Sequence, residues 1–173
     1  MLDKRVAGEE YRAIFDSVLA LLGRTDLVPA SELAVLRGAE PGNQRALALM
    51  VAELVHGSGE AGARLEHFST SFHRTFGKPP GWQLATALPT LYAPDAWIVV
   101  RPAMFRTQAK RMVPGFSLPK TPGAAAYRRC LAMAQNVRSR LEEREETPRD
   151  LLDVYDFMRE SLRASPKRAA AKK

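Results

Sequence analysis

The sequence contains very little cysteine: Cys130 is the only one in 173 residues. A single thiol cannot form an internal disulfide, which excludes a small secreted scaffold held together by disulfides. Cys-x-x-Cys and His-x-x-x-His pairs are missing too, so the sequence lacks the ligand spacing typical of zinc sites. We therefore interpret Cys130 as a small core residue, and we predict neither a metal ion nor a cofactor.

Long hydrophobic runs are also missing. The longest, residues 46–55, already contains Glu53, whereas a transmembrane helix needs roughly 20 apolar residues. The first 23 residues carry four carboxylates, which the apolar core of a secretory signal would not tolerate. These features predict a cytoplasmic protein without a membrane partner.

The overall composition is ordinary for a globular protein. Apolar residues make up 46% of the chain and charged residues 26%, which excludes wholesale disorder. The length is within the range of one domain. We predict a single helical domain over residues 1–164, with residues 78–81 as the place where two lobes would meet, and a disordered basic tail at residues 165–173.

Apolar residues recur at three- and four-residue spacing, which predicts a mainly α fold, a compact multi-helix domain with at most one short strand. Residues 96–100 are typical of a buried strand, but one strand cannot make a sheet, so an extended core segment is the alternative. Proline, glycine and capping residues indicate the helix ends. The predicted helices are 2–22, 29–36, 43–55 (capped by Asn43), 60–76, 82–88, 102–112, 124–144 and one that starts with Thr147 as its cap and Pro148 in its first turn.

Large apolar residues on the inward faces of these helices predict the core. Its expected members are Phe15, Leu19, Leu49, Leu54, Phe68, Phe72, Trp97, Phe105, Leu131, Leu141 and Phe157.

The charges are unevenly distributed along the chain. There are 26 basic and 19 acidic side chains, for a net charge of +7. Residues 96–141 hold nine basic side chains and no acidic one, whereas residues 142–162 hold three basic and eight acidic ones. A positive region without carboxylates attracts polyanions, because each phosphate that it neutralises releases condensed counterions.

Two predicted helices of this acid-free block, 102–112 and 124–144, have apolar residues on one face and cations on the other. Arginine grips phosphates and reads base edges. We therefore predict a non-enzymatic protein that binds nucleic acid, with DNA as the expected partner. The predicted binding residues are Arg101, Arg106, Lys110, Arg111, Lys120, Arg128, Arg129 and Arg140.

The acidic segment, residues 142–162, leaves an alternative open. It could fold back on the basic block and neutralise part of it. The adjacent basic and acidic faces would also suit an adaptor or a self-associating accessory protein, whose partner is an acidic protein or a second copy of the chain.

Candidate catalytic groups are sparse. Three histidines lie near Glu53 and Glu66, and Asp150, Asp153 and Asp156 recur every three residues. A hydrolase or nuclease could use either group, the second with two metal ions. Surface histidines and solvated acidic faces are commoner in proteins, so we predict no catalytic residue. The histidines are His56, His67 and His73.

Three strings, at residues 94–102, 105–110 and 148–157, read PDAWIVVRP, FRTQAK and PRDLLDVYDF. They resemble a pattern in uncharacterised bacterial proteins, some of which are associated with restriction or defence. The resemblance covers roughly residues 80–160 and implies a bacterial accessory protein. It contains no catalytic motif, so it assigns no functional residue.

Overall fold

The computed structural model describes residues 10–162, which form eight α-helices and no strand. The prediction of a mainly α fold is confirmed. Within this part of the chain, no helix is both long and apolar enough to cross a bilayer. The start of the first predicted helix and the predicted tail lie outside the described residues. The helices are α1 (Tyr11–Gly23), α2 (Ala30–Arg37), α3 (Pro41–His56), α4 (Ala61–Phe76), α5 (Trp82–Tyr92), α6 (Pro102–Met112), α7 (Ala124–Glu142) and α8 (Leu151–Ser161).

The helices pack in a chain of neighbours around α5. Helix α3 contacts α1 and α4, α4 contacts α7, and α6 contacts both α7 and α8, which also contact each other. Every residue from 82 to 90 except Gln83 is buried. A helix that is buried over most of its length belongs to the core of a fold, and α5 packs there against α1, α3 and α4.

The segment 97–100 is buried and extended, as the alternative to a strand predicted. Its backbone finds side-chain partners instead of a second strand. The Ile98 N–H donates to the Tyr127 hydroxyl at 3.1 Å, and the Val100 N–H donates to the Thr86 hydroxyl at 2.9 Å. Because buried N–H groups must be paired, these two bonds allow a lone extended segment to lie in the core.

Two predicted helix ends are wrong at proline residues. Helix α3 begins at Pro41 instead of being capped by Asn43, because proline suits the first helical turn, where no N–H bond is needed. Helix α5 continues through Pro89 to Tyr92 instead of ending at residue 88. An interior proline costs about 3 kcal/mol, and the burial of residues 84–90 of α5 offsets that cost.

The start of α8 is also corrected. Its cap is Asp150, whose carboxylate accepts the N–H groups of Leu152 and Asp153 at 2.8 and 3.1 Å. The prediction of Thr147 as the cap is therefore wrong by three residues. Both residue types cap helices well, so a contact elsewhere decides between them: the Leu151 N–H donates to the carbonyl of Pro94.

Most of the predicted core is buried, but two members are not: Leu49 is 41% exposed and Phe157 is 47% exposed. Helix α8 buries residues 151, 154, 155 and 158, and Phe157 lies on the opposite side of that stripe. Leu19, Leu131 and Leu141 are half-buried. Cys130 is buried, as predicted, and its burial raises the pKa of the thiol to about 12. The confirmed members are Phe15, Leu54, Phe68, Phe72, Trp97 and Phe105.

Candidate nucleic-acid interface

The corner between α6 and α7 is built by a short proline- and glycine-containing loop, residues 113–123. Gly115 has a φ of 72°, in the left-handed region that glycine adopts easily. The Phe116 N–H closes this turn by donating to the Val113 carbonyl. The Phe116 ring then lies 5.0 Å from the guanidinium carbon of Arg129 on α7, a cation–π distance that holds the guanidinium near the corner.

A hollow of about 300 Å³ opens between the end of α6 and the outer face of α7. Met112 and Val113 form one wall, and Ala132 and Met133 form its floor on α7. Polar side chains stand around this apolar surface because they are seven and four residues apart on α7, a spacing that returns to the same helix face. They are Arg129, Asn136 and Arg140.

A second hollow of about 450 Å³ continues along α7. It shares Asn136 and Arg140 with the first, and Ser139, Glu143 and Arg144 complete its lining. We call the two hollows together the basic trough. From Arg129 to Arg144 the trough follows α7 for roughly 20 Å at 1.5 Å per residue.

The cations around this corner lack carboxylate partners. Among residues 10–162, seven of the eight predicted binding residues form no ion pair, and six of those seven are exposed. Arg106 donates only to the Leu118 carbonyl of the loop, at 3.3 Å. Among the described residues, Glu143 is the only carboxylate that lines the trough. The six residues are Arg106, Lys110, Arg111, Lys120, Arg129 and Arg140.

These six do not all lie together. Arg129 and Arg140 line the trough, and Lys110 and Arg111 immediately precede Met112 in its wall. Arg106 reaches the corner through the loop. Lys120 lines neither hollow.

The other two predicted residues have partners from other parts of the fold. Arg101 is half-buried, donates to the Asp26 carbonyl at 3.0 Å and lies over the Tyr155 ring. Arg128 forms an ion pair with Glu60 of the α4 cap at 3.2 Å. Both partners come from the first half of the chain, so the lack of carboxylates within residues 96–141 did not keep these two arginines unpaired.

Helix α8 contributes no residue to the lining of the basic trough, although Glu143 of the acidic segment does. Asp153 pairs with Arg149 at 2.9 Å, and Arg159 pairs with Asp26 at 2.8 Å. Within residues 10–162, one ion pair joins the acid-free block to the acidic segment, between Arg138 and Glu142 one turn apart on α7. On α8, the Asp153 carboxylate is therefore used at the start of the helix, and the cation Arg159 binds the carboxylate of Asp26, which follows α1.

The candidate catalytic groups are placed apart. His56 contacts the Tyr92 ring and hydroxyl, whereas His67 and His73 are exposed on α4. The Glu66 carboxylate accepts the Ala124 N–H at the start of α7. Within residues 10–162 no group of three or more His, Cys, Asp or Glu side chains is arranged to hold a metal ion.

Three members of the corner were not among the predicted binding residues: Phe116, Asn136 and Arg144. The spacing of Asn136, Arg140 and Arg144 is a signal that the sequence does contain, since residues four apart share a helix face. The contact between Phe116 and Arg129 depends on the loop turn, which has no periodic pattern.

Neither a protein-family model, nor a curated protein, nor a solved structure matches this chain. The geometry of the corner between α6 and α7 is therefore the basis on which a function can be assigned.

Proposed function

We propose that this protein binds nucleic acid through the basic trough and the cations beside it, and that it acts as a binding protein without catalysis. The observation that carries the proposal is the set of exposed cations that form no ion pair with a carboxylate of the described chain. Arg129 and Arg140 inside the trough, with Lys110 and Arg111 at its edge, are the central members.

Phosphate is the ligand group that suits this arrangement. An arginine that already has a carboxylate partner must lose that partner before it can bind a phosphate. These arginines have no carboxylate partner in the described chain, so a phosphate replaces only water. Each contact also releases counterions from the nucleic acid, which favours binding at low salt. DNA remains the expected partner, and cytoplasmic and bacterial origin remain part of the proposal.

The test is an electrophoretic mobility shift with a DNA oligonucleotide, offered as duplex and as single strand, over a series of salt concentrations. We expect binding that weakens steeply with salt. In Arg129→Ala/Arg140→Ala the affinity should fall by roughly ten-fold or more, and the slope of log K against log salt should flatten by roughly 1.5 to 2, since two phosphate contacts are lost.

The matched control is Arg24→Ala/Arg74→Ala, which removes the same charge from two exposed arginines outside the acid-free block. Its affinity and salt slope should stay close to those of the unmodified chain. If the control weakens binding as much as the trough variant does, then overall charge and not the trough drives binding. Absence of any shift at low salt rejects nucleic-acid binding altogether.

The alternative, an adaptor or self-associating protein, is favoured by one observation. Phe157 is 47% exposed on α8, next to the exposed Asp156. An exposed aromatic residue of this kind is typical of a protein interface. Light scattering over a range of protein concentrations tests self-association: a second copy predicts a mass that doubles with concentration, and a constant monomer mass argues against it.

A further inference from the structure

We infer that the first hollow of the basic trough receives an unpaired base, so that the protein prefers single-stranded nucleic acid to a duplex. The inference rests on the proposed function and names the form of nucleic acid that this surface suits. Its basis is the combination of an apolar floor, polar rims and a recessed position.

The hollow is more apolar than a phosphate site requires. Met112, Val113, Ala132 and Met133 form its wall and its floor. Met112 is held in place because its sulfur accepts a hydrogen bond from Gln108 Nε2 at 2.8 Å. Phosphate gains nothing from such a surface, whereas the flat faces of a base gain from leaving water against it.

The rims carry the groups that a base uses. Arg129 is held against the Phe116 ring, and a guanidinium plane held in this way can stack on a base. Asn136 offers an amide with both a donor and an acceptor to a base edge. Arg140 and Arg144 continue into the second, more polar hollow, where they would meet the phosphates next to the bound base.

The position of the trough disfavours a duplex. Helix α7 contacts α4, α6 and α8, and the end of α6 forms a wall beside its outer face. A helix that reads duplex DNA must enter a major groove about 8.5 Å deep, and the end of α6, which lies beside the outer face of α7, obstructs such an approach. A duplex would touch the cations at the rim, and the hollow would stay empty.

The experiment is fluorescence anisotropy with a labelled strand of about 12 nucleotides, within the site sizes of single-strand binders. Four probes are compared at one salt concentration: single-stranded DNA, single-stranded RNA, the DNA duplex, and an abasic strand that keeps the phosphates but lacks the bases. We expect a natural single strand to bind roughly ten-fold more tightly than the duplex or the abasic strand, the effect of one stacking contact. The DNA and RNA arms show which of the two binds better.

The variant Ala132→Leu fills part of the hollow from an exposed helix position without adding an aromatic ring, and Ala13→Leu on α1 is its control. We expect Ala132→Leu to reduce single-strand affinity toward that of the duplex, with duplex binding unchanged, and Ala13→Leu to change neither. A thermal melt checks that both variants fold. The abasic strand tests whether the bases contribute to binding by the unmodified chain, so this result does not depend on any variant.

Two outcomes overturn the inference in distinguishable ways. If the abasic strand or the duplex binds as tightly as the natural strand, the base pocket is wrong and the proposed phosphate binding stands. If no probe binds at low salt, the proposed function fails, and the inference fails with it.

Discussion

Helices α7 and α8 are neighbours with opposite charges, and they use those charges differently. On α7, Arg129 and Arg140 line an open trough without an ion-pair partner in the described chain. Next to them, Asp150 caps α8 and Asp153 pairs with Arg149. The net charge of a segment therefore does not tell which of its charges are available to a partner. That depends on the distance from each charge to its nearest counter-charge.

The inner faces of the two helices differ as well. Each buries a tyrosine, but only one of the two tyrosine hydroxyl groups is hydrogen-bonded. The Tyr127 hydroxyl on α7 accepts the Ile98 N–H. The Tyr155 hydroxyl on α8 is buried without a hydrogen bond; Arg159 lies near it, but outside hydrogen-bonding geometry. Burial raises the pKa of both phenols, so both remain protonated at neutral pH.

The largest expected effect follows from these two tyrosines. Tyr127→Phe leaves the buried Ile98 N–H without a partner and should lower the free energy of unfolding by about 1 to 3 kcal/mol. Tyr155→Phe removes a hydroxyl that is already unsatisfied, so it should be neutral or stabilising. Urea denaturation measures both. An equal loss of stability in the two variants would contradict the difference between the inner faces.

The next effect concerns the carboxylates of α8. Asp150→Ala removes the cap of the helix and should lower the free energy of unfolding by about 1 kcal/mol. Asp156→Ala, at an exposed position within the same helix, should change it by less than about 0.5 kcal/mol. Thermal melts show whether Asp150 has this structural role. If the two variants lose the same stability, local capping does not explain how α8 uses its acids.

A smaller effect is expected at acid pH. The Arg149 guanidinium lowers the pKa of Asp153 from 3.8 to about 2. A carboxyl whose pKa falls on folding stabilises the fold above its ordinary pKa, and this stability is lost as the pH falls from about 4 to about 2. The difference in unfolding free energy between the unmodified chain and Asp153→Asn should therefore be constant near neutral pH and shrink below about pH 4. It should be small because Arg149 is exposed. A difference that persists to the lowest pH would indicate an origin other than this ion pair.

The smallest expected effect tests whether the carboxylates of α8 leave the cations of α7 available. Asp156→Asn/Glu160→Gln removes two exposed carboxylates of α8. If α8 leaves the trough uncovered, DNA affinity should change by less than about two-fold, the range of a distant screened charge. Anisotropy with the same labelled strand measures it. A large gain in affinity would mean that the acidic helix masks the cations of α7.

Several elements could be predicted from local sequence alone. Residues 102–112 were predicted as a helix and form α6 with the same bounds, because Pro102 suits a first turn and the apolar stripe has helical period. Arg129 and Arg140 were predicted to share a face because 11 residues are close to three full turns. The start of α8 and the length of α5 could not be predicted in this way, since a bond to the Pro94 carbonyl and the burial of α5 determine them.

From the sequence one can deduce that the chain is helical, which faces of its helices are apolar, and that residues 96–141 carry cations without carboxylates. The packing of the helices determines which of those cations have a partner. Arg128 finds Glu60 at a separation of 68 residues, and Arg101 finds the Asp26 carbonyl at a separation of 75. The physical reason is that charge interactions depend on distance in space, and helix packing brings together residues that are far apart along the chain.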